Sequence, residues 1–234
     1  MARGITIAAV LDAFLDEQHR QASARAAASS EEVVSLLRHC LERYGYESLG
    51  RVDRTRFEKA FAQGDEEAFC KGFGPEHILG HLDVFLYYFM VHKVTANRGL
   101  LRAAGSVTGA LAAFLYDQGY VGEAERAGAV ELAARAARDL PRAERLAGLL
   151  YKQSSQLPDF DPAELPEGDW LEGCLVIEAV EPDALFFDGG IGPVATCDEA
   201  ARLAEPGWVV NVVLARIEGS WRVIEVGNVS PAWG

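Results

Sequence analysis

Positive charge is scarce in this chain of 234 residues: 22 Lys plus Arg stand against 35 Asp plus Glu, for a net charge of −13. A protein that binds polyanions over its whole surface needs surplus cations to displace the counterions on phosphate, and this balance argues against that class. The four cysteines, Cys40, Cys70, Cys174 and Cys197, show no CxxC spacing. A four-thiolate zinc site pairs its ligands closely in sequence, so these read as free thiols in a reducing compartment. Long apolar runs are missing as well. The longest, Val84 to Val91, is far short of the ~20 residues that span a bilayer. The first, Ile5 to Leu11, follows a lone Arg3 and stops at Asp12, unlike a secretion signal. The expectation is a soluble, cytoplasmic protein. No GxSxG, Walker or Rossmann glycine pattern occurs. Gly189-Gly190-Ile191-Gly192 sits between strand-like segments and has no Lys-Ser/Thr after it, which argues against a phosphate cradle there. Cys40 and His39 are adjacent, but neighbours on a helix do not face each other. The chain therefore reads as non-catalytic and without a cofactor.

What is present is divided unevenly. Lys152 to Asp169, KQSSQLPDFDPAELPEGD, carries three prolines and a cluster of acids with little to bury, and reads as a linker. Residues 1–157 hold 19 bases and 20 acids, whereas residues 158–234 hold only Arg202, Arg216 and Arg222 against 15 acids. Three segments follow: a helical domain over 1–151, a Pro-rich acidic linker over 152–169, and a small β-barrel domain over 170–234. The fold class is α+β in two domains, an all-α helical bundle and a five-stranded antiparallel barrel.

Helical spacing marks Ile5–Gln18, a segment opened by Ser30 with Glu31 and Glu32 and closed at Gly45, and a shorter one over Arg54–Ala62. Pro75 opens a helix to about Lys93, Asn97 or Arg98 one ending near Gly119, and Glu123–Tyr151 is rich in helix formers, with Pro141 starting a new segment. Beyond the linker the period falls to two. Strands are expected over Gly173–Val180, Ala184–Phe187 and Ile191–Thr196, then a short helix Asp198–Leu203. Trp208–Ile217 and Trp221–Val229 follow, joined through Glu218-Gly219-Ser220 as a hairpin.

Asn97 to Val121, NRGLLRAAGSVTGALAAFLYDQGYV, pairs Arg98 and Arg102 near a helix start with an apolar stripe, then Phe114, Leu115 and Tyr116 and a glycine turn. This resembles a helix of the core-binding, SAM-like domain of tyrosine recombinases and phage integrases, and LDAFLDEQ in the first helix is similar to that domain's opening helix. The resemblance spans residues 5–122. HxxR occurs at none of the five histidines, and the chain after Tyr151 reads as linker and barrel, so the resemblance does not extend to strand exchange. What it implies is a nucleic-acid contact. No acid lies between Asp83 and Asp117, while Lys93, Arg98 and Arg102 do, with His92 beside them. The bland alternative is a solvated helix end. A second cluster, Arg135, Arg138, Arg142 and Arg145, alternates with Asp139 and Glu144 and reads as ion pairing along one helix.

His77 and His81 are four apart and on a helix would lie about 40° apart, with Tyr88 and His92 on the same stripe. They are the candidate metal ligands, but Ile78 stands where HExxH has its Glu and no third ligand is in view, so no metal is expected. The barrel, with its helix between the third and fourth strands, resembles oligonucleotide-binding barrels, SH3-like barrels being the other candidate. Its aromatics, Trp170, Phe186, Phe187, Trp208 and Trp221, come with too few cations to hold phosphate, so a protein partner suits it better. The resulting reading is a non-catalytic, nucleic-acid-associated scaffold that contacts DNA through its helical domain and protein through its acidic barrel, with no membrane association. The alternatives are a protein–protein interaction module that binds no nucleic acid, and an unrecognised hydrolase or metal-binding protein.

Overall fold

Thr6 starts the first helix: its Oγ1 accepts from the Ala9 amide at 3.3 Å, and α1 (Ile7–Gln21) buries Ile7, Val10, Leu11 and Phe14. The computed structural model describes residues 4–157, 166 and 168–232. It divides into two compact units, Met1–Arg138 and Asp139–Gly234, the first helical and the second built on a five-stranded sheet.

In the first unit, α2 runs Ala24–Tyr44 and is capped by Ser23, not by Ser30. The Ala-rich stretch after Ser23 extends the helix, and Ser30, now internal and buried, donates its Oγ–H back to the Ala26 carbonyl at 3.1 Å. Helices α3 (Arg51–Ala62) and α4 (Ala68–Gly72) follow. The Glu42 carboxylate accepts from the Phe69 and Cys70 amides at 2.9 and 2.8 Å, which satisfies two orphan donors of α4. The helix expected from Pro75 to Lys93 is broken. Pro75–His77 and Leu79–His81 are 3₁₀ turns, Val84–Phe89 is π-helical, and only Met90–His92 (α5) returns to α geometry. Gly74-Pro75 and Gly80 supply the interruptions, since neither residue type supports a helix interior.

Helix α6 (Arg98–Asp117) begins at Asn97, whose side chain accepts from the Leu100 amide at 3.0 Å. It is long and apolar enough to cross a membrane by length and composition, and 50% of that window is buried inside the structure. Its inner face carries Leu101, Ala104, Val107, Leu111 and Leu115. Helix α7 (Glu123–Ser154) crosses α6 closely: a Cβ on Gly105 would stand 2.4 Å from the Ala137 nitrogen and 2.6 Å from the Ala133 carbonyl oxygen. Pro141 lies inside α7, so the expected new segment at that residue does not occur.

The second unit starts with the remainder of α7. Ala143, Leu146 and Leu150 share one hydrophobic core with Ile177, Leu185, Phe187, Val194, Trp208, Val210 and Leu214. Composition placed a boundary at residue 151; packing places the division at Arg138/Asp139, because these apolar residues face the core of the sheet. Of the expected linker, positions 158–165 and 167 lie outside the described residues, and Lys152–Ser154 continue α7.

The strands are β1 (Trp170–Glu181), β2 (Ala184–Phe187), β3 (Ile191–Ala195), β4 (Val209–Ile217) and β5 (Ser220–Ser230), with α8 (Asp198–Leu203) between β3 and β4. Neighbours run β1-β2-β3-β5-β4 and return to β1, so the sheet closes on itself. A wholly antiparallel sheet was expected; β3 and β5 instead pair in parallel, at Val194 and Trp221, because the chain crosses through α8 and β4 before β5 comes beside β3. The β4–β5 hairpin turns on Glu218 and Gly219, both at positive φ (51° and 79°), as a two-residue turn joining right-twisted strands requires.

Candidate nucleic-acid interface

The three cations singled out by sequence flank the link between α5 and α6. Lys93 caps α5, its amide donating to the Phe89 carbonyl at 2.9 Å, and its ammonium lies 5.4 Å from the centre of the Tyr88 ring. Arg98 is the first residue of α6 and Arg102 stands one turn on, about 6 Å along the axis. All three side chains are exposed, and among the described residues none has an ion-pair partner. Elsewhere in the helical unit, Arg38 is held by Asp12 at 2.6 Å, Lys71 by Glu67 at 2.6 Å, and Arg126 by Glu123.

A ring cluster beside Lys93 was only partly visible in the sequence. Tyr44, at the end of α2, meets Tyr88 edge-on at 5.6 Å between ring centres, and Tyr88 meets the His92 ring at 5.4 Å. The Tyr44 phenol is held above its ordinary value by burial first and then by its hydrogen bond to Tyr88. Partial burial, followed by the charge of Lys93, holds His92 below 6.5. The His92–Tyr88 neighbourhood follows from four-residue spacing; the approach of Tyr44 from a helix forty residues away carries no local signal.

His77 and His81 do not form a ligand pair. The His81 Nδ1 lies 2.6 Å from the His77 carbonyl, which commits that nitrogen to the backbone. Both rings pack edge-on against Phe69 at 6.0 Å. The helical stripe that was to continue to Tyr88 and His92 is dissolved by the 3₁₀ and π segments. Among the described residues, no group of three His, Cys, Asp or Glu side chains is placed to hold a metal ion. Burial, with Asp83 as a lesser cause, pushes the Cys40 thiol up to about 12, so it is protonated and unsuited to a dyad with His39.

The second arginine cluster is redirected. Arg142 makes its expected contact with Asp139 at 3.4 Å, but it also pairs with Glu205 at 2.5 Å, donates to the Leu203 carbonyl and lies 5.4 Å from the Trp208 ring centre. Arg145 pairs with Glu199. Together with the Gln153 amide on the Ala195 carbonyl at 2.7 Å, these side chains fasten the end of α7 to the closed sheet.

Sequence reasoning did not anticipate a cleft of about 980 Å³ in the helical unit, lined by Thr6, Arg56, Lys71, Phe73, Gly119 and Tyr120 among others. Three of its polar side chains are engaged internally. Arg56 donates to the Gly72 carbonyl and covers Phe73, Lys71 is paired with Glu67, and Thr6 caps α1. Comparison with protein-family models, curated proteins and solved structures finds no match.

Proposed function

We propose that this protein is a non-catalytic, nucleic-acid-associated scaffold whose helical unit holds phosphates through Lys93, Arg98 and Arg102, and whose acidic C-terminal unit contacts protein. The observation that carries this reading is the set of three exposed cations, without ion-pair partners among the described residues, on a stretch that has no acid from Val84 to Tyr116. Two of them stand at the start of α6, where aligned backbone dipoles already favour an anion and where no acidic side chain occupies the first turn.

The helix order of the first unit is compatible with the resemblance to the recombinase core-binding domain. The closed five-strand order, with α8 between β3 and β4, supports the oligonucleotide-binding type of barrel over the SH3-like one. The charge of that unit points to a different ligand. Residues 158–234 hold three arginines against 15 acids, and Arg202 and Arg216 already lie near Asp198 and Asp169. A field of that sign repels phosphate and attracts a basic protein surface. The unlinked thiols fit a reducing cytoplasm.

Fluorescence anisotropy of labelled DNA titrated with the full chain tests the reading. Binding at low salt that is lost on combining Lys93→Ala, Arg98→Ala and Arg102→Ala supports it. Equal binding by the triple variant moves the contact elsewhere, and absence of binding by the unaltered chain removes it.

A further inference from the structure

The ring cluster adds to the three cations something that phosphate recognition does not require. Phe85, Leu86, Phe89 and Met90 are buried, while Tyr44 and Tyr88 are half-buried and His92 and Lys93 are exposed, so the rings border the solvent beside the cation patch. The π-helical turn at Val84–Phe89 wraps an extra residue per turn and so displaces Tyr88 round the axis from its α-helical position. Ring contacts at 5.4 and 5.6 Å hold Tyr88 between His92 and Tyr44, and the Lys93 ammonium stands over the Tyr88 face. From Lys93 the chain reaches Arg98 in five residues, at most about 18 Å even when fully extended. The rings and the α6 cations thus lie within reach of one short stretch of polynucleotide.

We propose that Tyr88 and His92, backed by Tyr44 and flanked by Lys93, form a stacking subsite for an unpaired nucleobase, so that this surface takes single-stranded in preference to duplex nucleic acid. The inference rests on the phosphate-binding reading above and names its ligand. The bases of a duplex are stacked on one another and offer protein only their edges, whereas a single strand presents base faces to aromatic side chains. A stacked base places its own phosphate beside the ring, where the Lys93 ammonium can meet it, and the strand continues toward Arg98 and Arg102. His92, neutral near pH 7, serves there as a planar ring and not as a third local cation.

The test is anisotropy at low salt, with one labelled oligonucleotide presented to the full chain as a single strand and as a duplex. The expected result is about tenfold tighter binding of the single strand. His92→Ala, at an exposed position, should lower single-strand affinity about tenfold and leave the duplex unchanged. Tyr88→Leu, which retains bulk but removes the ring under the Lys93 ammonium, should lower single-strand affinity more than duplex affinity. Lys93→Ala should weaken both forms. Equal affinity for the two forms, or equal losses on both with His92→Ala, overturns the stacking subsite and leaves the phosphate contact standing. Absence of salt-sensitive binding to either form overturns both.

Discussion

Partial burial and the neighbouring Lys93 keep His92 neutral to lower pH than a free imidazole, and this has a consequence for stability. A histidine whose folded pKa lies below its unfolded value binds protons less readily in the native state than in the unfolded one. Its contribution is therefore intact above the unfolded value of 6.5 and is lost as pH falls through 6.5 toward the folded value. Between about pH 7 and about pH 5.5 the thermal midpoint of the unaltered chain should drop further than that of His92→Gln. Parallel curves for the two proteins would contradict the assignment. Burial first, and then Lys93, set this titration, and the ring that packs on His92 is Tyr88, the one proposed to meet a base.

Among the elements, the crossing of α6 and α7 depends on a missing side chain. Gly105 faces the backbone of Ala133 and Ala137 too closely for a Cβ, whereas a Cβ on Gly109 would stand 3.5 Å from that of Ala133, in ordinary contact. Gly105→Ala should therefore destabilise the helical unit by about 1–3 kcal/mol through overpacking. Gly109→Ala should be neutral or stabilise by up to about 1 kcal/mol, because alanine is the better helix former. Denaturation followed by circular dichroism distinguishes them; equal effects would contradict the close crossing. At this scale the sequence was readable where local chemistry governs: Asn97 or Arg98 as the start of α6, Glu218-Gly219-Ser220 as a hairpin, and the span of α8. It misled where tertiary packing overrides the local pattern. Ser30 with two glutamates reads as a helix start, yet Ser23 is the cap. Pro141 reads as a break, yet it lies within a helix held on both sides by packing. The 3₁₀ and π turns between Pro75 and Phe89 have no sequence period of their own, which is why a single helix was expected there. The candidate cations were legible because they stand in an acid-free stretch; the tyrosine that backs them comes from a distant helix.

For the whole molecule, the division at Arg138/Asp139 means that the acidic unit includes the end of α7. Leu146 and Leu150 are fully buried in its core, and Arg142 and Arg145 pair with Glu205 and Glu199. All four tryptophans lie at or beyond Trp170, so their fluorescence reports on this unit alone. A fragment comprising residues 139–234 should unfold cooperatively by that signal. One beginning at residue 170, the start of the sheet, should be markedly less stable because it exposes the apolar face that those leucines cover. Equal stability of the two fragments would contradict the packing of α7 against the sheet.

If a chain of net charge −13 holds phosphate through three local cations, its binding of nucleic acid must weaken with salt in proportion to that number. With each cation neutralising one phosphate, log K against log salt should fall with a slope of about −2 for a single strand and about −3 for a duplex. In the triple alanine variant the slope should fall away with the affinity. A slope near zero, or the same slope in the variant, would show that Lys93, Arg98 and Arg102 do not hold phosphate.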